Sequence, residues 1–106
     1  ILHRPAGWLP PISAEQLQQA LSIHEPIVLV DLRSPEVFET GSMPGAVNFS
    51  AEAILQERFS EELMHADRVV LFCEEGLVSA LLVDALKARG QGNVSYLEAG
   101  FKGFAI

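Results

Sequence analysis

The sequence predicts an α/β domain in which a small parallel sheet of about five strands carries helices on both faces. Three observations lead there. "IVLVD" (27–31), apolar up to its closing Asp31, and "VVLFC" (69–73) are rich in β-branched residues, the pattern of strands covered on both sides. Helical patterns separate the strand-like runs, as crossovers between parallel strands require. Of the 106 residues, 49% are apolar and 20% charged, which suits one packed core and not a disordered chain. Residues 1–106 are therefore expected to form a single domain. The absence of an initial Met and the apolar "GFAI" ending suggest one cut from a longer chain.

The elements follow in order. "WLPPIS" reads as a short extended edge piece, because Pro10 and Pro11 exclude a central strand. "SAEQLQQALSI" opens on a capping box, Ser13 with Gln16, and places Ile12 and Leu17 as a hydrophobic staple. After the strand 27–31, "SPEVFETG" puts Pro35 at the first helical position behind Ser34 and stops at Gly41. "AVNF" (46–49) is a short strand, and "SAEAILQERF" and "SEELMHA" are helical candidates. Behind the strand 69–73, "SALLVDALKARG" is a helix apolar on nearly all sides, with Lys87 and Arg89 in its last turn and Gly90 as its stop. "VSYL" (94–97) is the last strand and "GFKGF" a closing helical turn.

Charge and composition exclude several functions. The net charge of −7, with no Lys/Arg cluster, argues against nucleic acid and anionic membranes as partners. No apolar run approaches the roughly 20 residues of a membrane span. A single cysteine cannot form an internal disulfide, and no Cys/His spacing resembles a metal site. The expected compartment is a reducing cytoplasm.

In parallel sheets ligands bind beyond the carboxyl ends of the strands. Asp31, Cys73 and Glu98 should share that edge. Cys73 ends a central strand, and a helix is expected five or six residues later. The residues between include Gly76, which can turn successive N–H groups inward beside the positive end of the helix dipole. Such a cradle would stabilise a thiolate. A free cysteine is also among the most buried residue types, so packing and reaction both stay open on spacing alone.

The ordered set of motifs resembles a rhodanese domain, the sulfurtransferase fold. The family's Asp-x-Arg strand end is matched by Asp31 and Arg33, its Glu-x-Phe helix by Glu36 and Phe38, and its Gly-His-Ile-Pro-Gly-Ala-x-Asn turn by Gly41 to Asn48. The active-site loop Cys-x-x-Gly-x-Arg-Ser is matched by Cys73, Gly76 and Ser79, and the Gly-Gly-Phe ending by Ala99-Gly100-Phe101. The resemblance implies a persulfide on Cys73, loaded from thiosulfate or another persulfide and passed to a thiol or cyanide, with no metal or organic cofactor. Glu74, Glu75, Gly76, Leu77, Val78 and Ser79 would supply the amide cradle, with the Ser79 hydroxyl also capping the helix. Asp31 and Arg33 read first as a fold-holding ion pair or hydrogen-bonded pair at the strand end and second as supports of the loop, Arg33 being the nearest cation that could swing toward an anion.

Three departures stand out. The loop Arg of the family is Val78 here, and its variable positions are both acidic, Glu74 and Glu75. Each carboxylate could cost about 1 kcal/mol against a second anion nearby, so thiosulfate is expected to be a poorer donor than a persulfide. Ser42 replaces the common His, and Phe104 the terminal Trp. A tyrosine-phosphatase reading fails because that chemistry needs an Arg six residues after the Cys, where Ser79 stands. The alternative of another class is a catalytically weak or inactive binding or regulatory module, with a protein partner or a fused domain. His3, His24 and His65 are expected to be solvated, Trp8 to pack, and Asn48 to bond local backbone.

Overall fold

A computed structural model of the chain describes residues 9–56 and 61–104. The expectations for His3, Trp8 and the end of "SAEAILQERF" lie outside those residues. Helix α1 (Ala14–Ser22) leads into β1 (Ile27–Asp31), α2 (Pro35–Glu39) and β2 (Val47–Asn48). Helices α3 (Ala51–Gln56) and α4 (Glu61–His65) precede β3 (Arg68–Phe72). The chain closes with α5 (Leu77–Ala88), β4 (Val94–Tyr96) and α6 (Gly100–Phe104). The four strands pair in parallel in the order β2-β1-β3-β4.

Local chemistry accounts for the helix starts. The Ser13 hydroxyl accepts from Gln16 N (3.1 Å) while the Gln16 side chain accepts from Ser13 N (3.0 Å), the expected capping box. Ile12 and Leu17 are both buried in the same cluster beneath it. Ser34 caps α2 through Val37 N, with Pro35 in the first turn.

The period-2 alternation of the strands divides the core. Val30, Val69, Leu71 and Val94 face α3, α4 and α5, where Ile54, Leu63, Leu82, Val83 and Leu86 meet them. Leu29, Val70 and Phe72 face the other way, against Leu17, Met43 and Leu97, with Phe101 and Phe104 at the margin. Both faces are covered, as the all-apolar strands require.

The sheet departs from expectation in its fifth strand. Among the described residues the segment before α1 pairs only as an isolated bridge, Ile12 with Leu97. Ile12 N donates to Tyr96 O and Glu98 N to Ile12 O, both at 2.9 Å. Pro11 and Pro10 have no N–H to carry the ladder further.

The order β2-β1-β3-β4 sends the chain outward in opposite directions from β1 and β3. Their carboxyl ends therefore flank a topological switch point, where such sheets leave a crevice. Asp31 is in register with Phe72 there, and Cys73 is the next residue.

Candidate active site

Cys73 follows β3 directly, and the chain turns at Gly76 (φ +92°) into α5. The helix starts at Leu77, earlier than spacing suggested, because Gly76 adopts the left-handed conformation that closes the loop in three residues. A Cβ on Gly76 would lie 2.3 Å from Glu98 O, so the loop is tucked against the turn after β4. Asp31, Cys73 and Glu98 thus do share one sheet edge.

The loop curls around the sulfur. Gly76 N donates to Cys73 Sγ at 3.2 Å and Ser79 N at 3.4 Å, with the Ser79 hydroxyl 3.5 Å away. Burial of Cys73, which is 7% exposed, raises its pKa. The Ser79 hydroxyl and the N–H groups of Ser79, Gly76 and Val78 outweigh that burial and hold the thiol below its ordinary value. Ser79 does not cap the helix as expected. It lies three residues inside the Gly76 N-cap, and its hydroxyl lies within hydrogen-bonding distance of both Gly76 O (3.2 Å) and Cys73 Sγ (3.5 Å).

The pH dependence of alkylation tests this balance. Cys73 should be half-reactive below the value of about 8.5 for free cysteine, and Ser79→Ala should move that midpoint upward. An unmoved midpoint in the variant would remove the hydroxyl from the account. The sign for stability follows from the depressed folded value. The contribution grows as pH rises from the folded pKa toward the unfolded one, and is lost as pH falls through the folded pKa.

The loop glutamates point away from the sulfur. Glu74 approaches Arg33 (3.9 Å) and Glu75 approaches Lys102 on α6 (3.5 Å). The Glu75–Lys102 pair is solvated and contributes little stability, whereas Glu74 reaches from the surface toward a buried Arg33 side chain; both draw the negative charge to the rim. Sequence alone does not show Lys102 as the partner of Glu75, since it lies 27 residues further along the chain.

Arg33 is held in place rather than free to swing. Its Nε and Nη2 donate to the Asp31 carboxylate at 2.8–3.1 Å, and Nη2 also donates to Gly41 O at 2.7 Å. The guanidinium lies 4.1 Å from the centre of the Phe101 ring. Asp31 is fully buried and further receives Arg33 N (2.9 Å) and the Ser42 hydroxyl (2.7 Å). Ser42, read from sequence only as a substituted His, is thus a ligand of the buried carboxylate. Asn48 bonds backbone, but not locally: its Nδ2 reaches Asp31 O and Arg33 O, both 2.9 Å away across the strands.

The remaining residues stay outside the site. His24 and His65 are exposed, and Arg89 sits at the far end of α5, donating to Leu55 O (2.9 Å). Among the described residues no group of three or more His, Cys, Asp or Glu could hold a metal, and no helix is long and apolar enough to cross a membrane.

Comparison with known proteins gives this arrangement a family. The family model for the rhodanese-like domain matches residues 13–106. This chain belongs to the rhodanese-like domain family. The domain is 32% identical over 94 residues to a sulfurtransferase of Allochromatium vinosum, covering 89% of this chain and 86% of that protein. It is 26% identical over 97 residues to YrkF of Bacillus subtilis, whose name describes a sulfur carrier protein, covering 92% of this chain and 51% of YrkF. The rhodanese-like domain therefore spans about half of that relative's length. A rhodanese-like domain protein from Staphylococcus aureus superposes with a TM-score of 0.78 at 24% identity, covering 91% of each chain.

Proposed function

We propose that the domain carries sulfane sulfur as a persulfide on Cys73. The supporting observation is the sulfur itself, recessed and facing the N–H groups of Gly76 and Ser79 at 3.2 and 3.4 Å. Nucleophilic sulfur transfer needs a thiolate and donors for the anion it forms, and the lowered thiol pKa and the N–H groups curled around Sγ support both. The sulfurtransferase and sulfur-carrier names of the two relatives agree with this reading.

The step balances without an external oxidant. The Cys73 thiolate attacks the outer sulfur of a persulfide donor R–S–S⁻, the donor's S–S bond breaks, and R–S⁻ leaves as Cys73–S–S⁻ forms. Unloading reverses the roles, with an acceptor thiolate attacking the outer sulfur and Cys73 leaving as thiolate. Thiosulfate would load the same group and release sulfite, and the acidic rim makes that dianion the poorer donor. A thiolate that must be regenerated suits a reducing cytoplasm.

Intact mass after exposure to a low-molecular-weight persulfide tests the reading. A gain of one sulfur, about 32 Da, that cyanide or excess thiol removes is the expected result, with no gain in Cys73→Ser. No gain in folded protein with an alkylatable thiol would leave the domain a binding or regulatory module.

A further inference from the structure

Helix α5 has two apolar faces and only one of them is covered. Ser79, Leu82, Val83 and Leu86 are buried against the sheet. On the outer side Leu77 is 70%, Val78 49% and Leu81 63% exposed. Leu81 follows Leu77 by four residues and Val78 by three, so the three side chains adjoin on the first turns of the helix. Leu77 and Val78 lie between Gly76 and Ser79, whose N–H groups donate to Cys73 Sγ, so this apolar ridge begins at the mouth of the site. Beside it stand the exposed carboxylates of Glu74 and Glu75, 54% and 70% exposed. No small anion needs such a surface: apolar contacts add nothing for thiosulfate, and the carboxylates repel it.

We propose that the ridge Leu77–Val78–Leu81, with Glu74 and Glu75 at its side, docks a protein partner whose reacting cysteine lies in a segment bearing apolar and basic side chains. The apolar ridge supplies contact area and the acidic rim selects the charge of the partner and speeds its approach. The observation that commits to a basic partner is the surplus of negative charge at the rim, where Glu74 and Glu75 stand against Lys102 while the charge of Arg33 is already taken by Asp31, within a chain of net charge −7. The recessed position of Cys73 Sγ requires the partner's cysteine to project from an extended segment that can enter the loop. The inference rests on the carrier reading above and specifies the exchange partner at the same sulfur.

Two short synthetic peptides test it, each with a central cysteine beside leucines and flanked by lysines in one and glutamates in the other. Docking is read first by fluorescence anisotropy, with serine in place of the peptide cysteine, so that binding is measured whether or not the protein loads sulfur. The lysine peptide should bind at least about tenfold tighter than the glutamate peptide at low salt, with the difference shrinking at high salt. Leu81→Asn, which alters only an exposed side chain outside the loop, should weaken lysine-peptide binding about fivefold. In the same variant, loading of Cys73 by a small persulfide should be unchanged. Equal binding of the two peptides, or binding indifferent to Leu81→Asn, overturns the docking surface. Failure of wild-type protein to gain sulfur from the small persulfide instead overturns the carrier reading, and the anisotropy result separates the two.

Discussion

Asp31→Ala is expected to lower stability by about 3–5 kcal/mol, read as a fall in the urea midpoint at constant slope. The carboxylate is fully buried and takes hydrogen bonds from Arg33 N, Nε and Nη2 and from Ser42 Oγ. Removing it leaves the Arg33 guanidinium, whose side chain is 7% exposed, with Gly41 O at 2.7 Å and the outlying Glu74 carboxylate at 3.9 Å for polar partners in a largely desolvated place. A loss of that size is a large part of the 5–15 kcal/mol by which domains are ordinarily stable. The double variant Asp31→Ala/Arg33→Ala should be much less damaged than the sum of the single ones. Additive losses would show that the pair is not coupled and would sink the argument. Acid adds an independent check. Burial raises the Asp31 pKa, but the bonds from Arg33 and Ser42 outweigh it and leave the carboxyl below its ordinary value. Its contribution is complete above the ordinary carboxylate range of about 4 and is lost as pH falls through the folded value, so Asp31→Asn should flatten the acid limb of the stability curve.

Gly100→Ala should cost about 3 kcal/mol and disturb the thiol as well as the fold. Gly100 has φ +69°, and a Cβ there would meet Glu74 O at 2.5 Å, Cys73 O at 2.6 Å and Glu74 C at 2.7 Å. All three are backbone atoms of the active-site loop and cannot swing aside. The same carbonyls are held by Phe101 N (2.8 Å to Cys73 O) and Lys102 N (3.0 Å to Glu74 O), so a shift of α6 moves the loop. The alkylation midpoint of Cys73 should therefore rise in whatever fraction remains folded. Gly90→Ala is the control. Its φ is +94° but nothing lies within 4 Å of the added methyl, so only backbone strain of about 1–2 kcal/mol is expected, with no change at the thiol. Equal losses for the two variants would mean that close packing of the Gly100 turn on the loop is not what matters.

The two experiments address features that differ in how far the sequence revealed them. Asp31 and Arg33 were visible as a pair two residues apart at a strand end, and their mutual bonds are local. The third member, Ser42, lies 11 residues from Asp31 and looked only like a substitution. Asn48 reads from sequence as bonding local backbone, but it ties β2 to the end of β1 and the loop after it, a link that exists only once the strands are side by side. Gly100 could be read as a glycine in a closing turn, but not as the surface on which the Cys73 loop rests.

What the sequence determined by itself was whatever depends on neighbours within a turn or two. Ser13 and Gln16 marked the start of α1 because the capping box closes over three residues. "IVLVD" and "VVLFC" announced buried parallel strands because unbroken apolar runs can only be satisfied with both faces covered. The tertiary structure decided what depends on residues distant in the chain. It reduced the fifth strand to the Ile12–Leu97 bridge, drew Glu74 and Glu75 toward Arg33 and Lys102, and placed Glu98 O where only a glycine at 76 fits. The acidic loop is the clearest case. Read along the chain, two carboxylates adjoin the thiol; in space, N–H groups and the Ser79 hydroxyl face the sulfur and outweigh its burial, while the carboxylates turn toward Arg33 and Lys102.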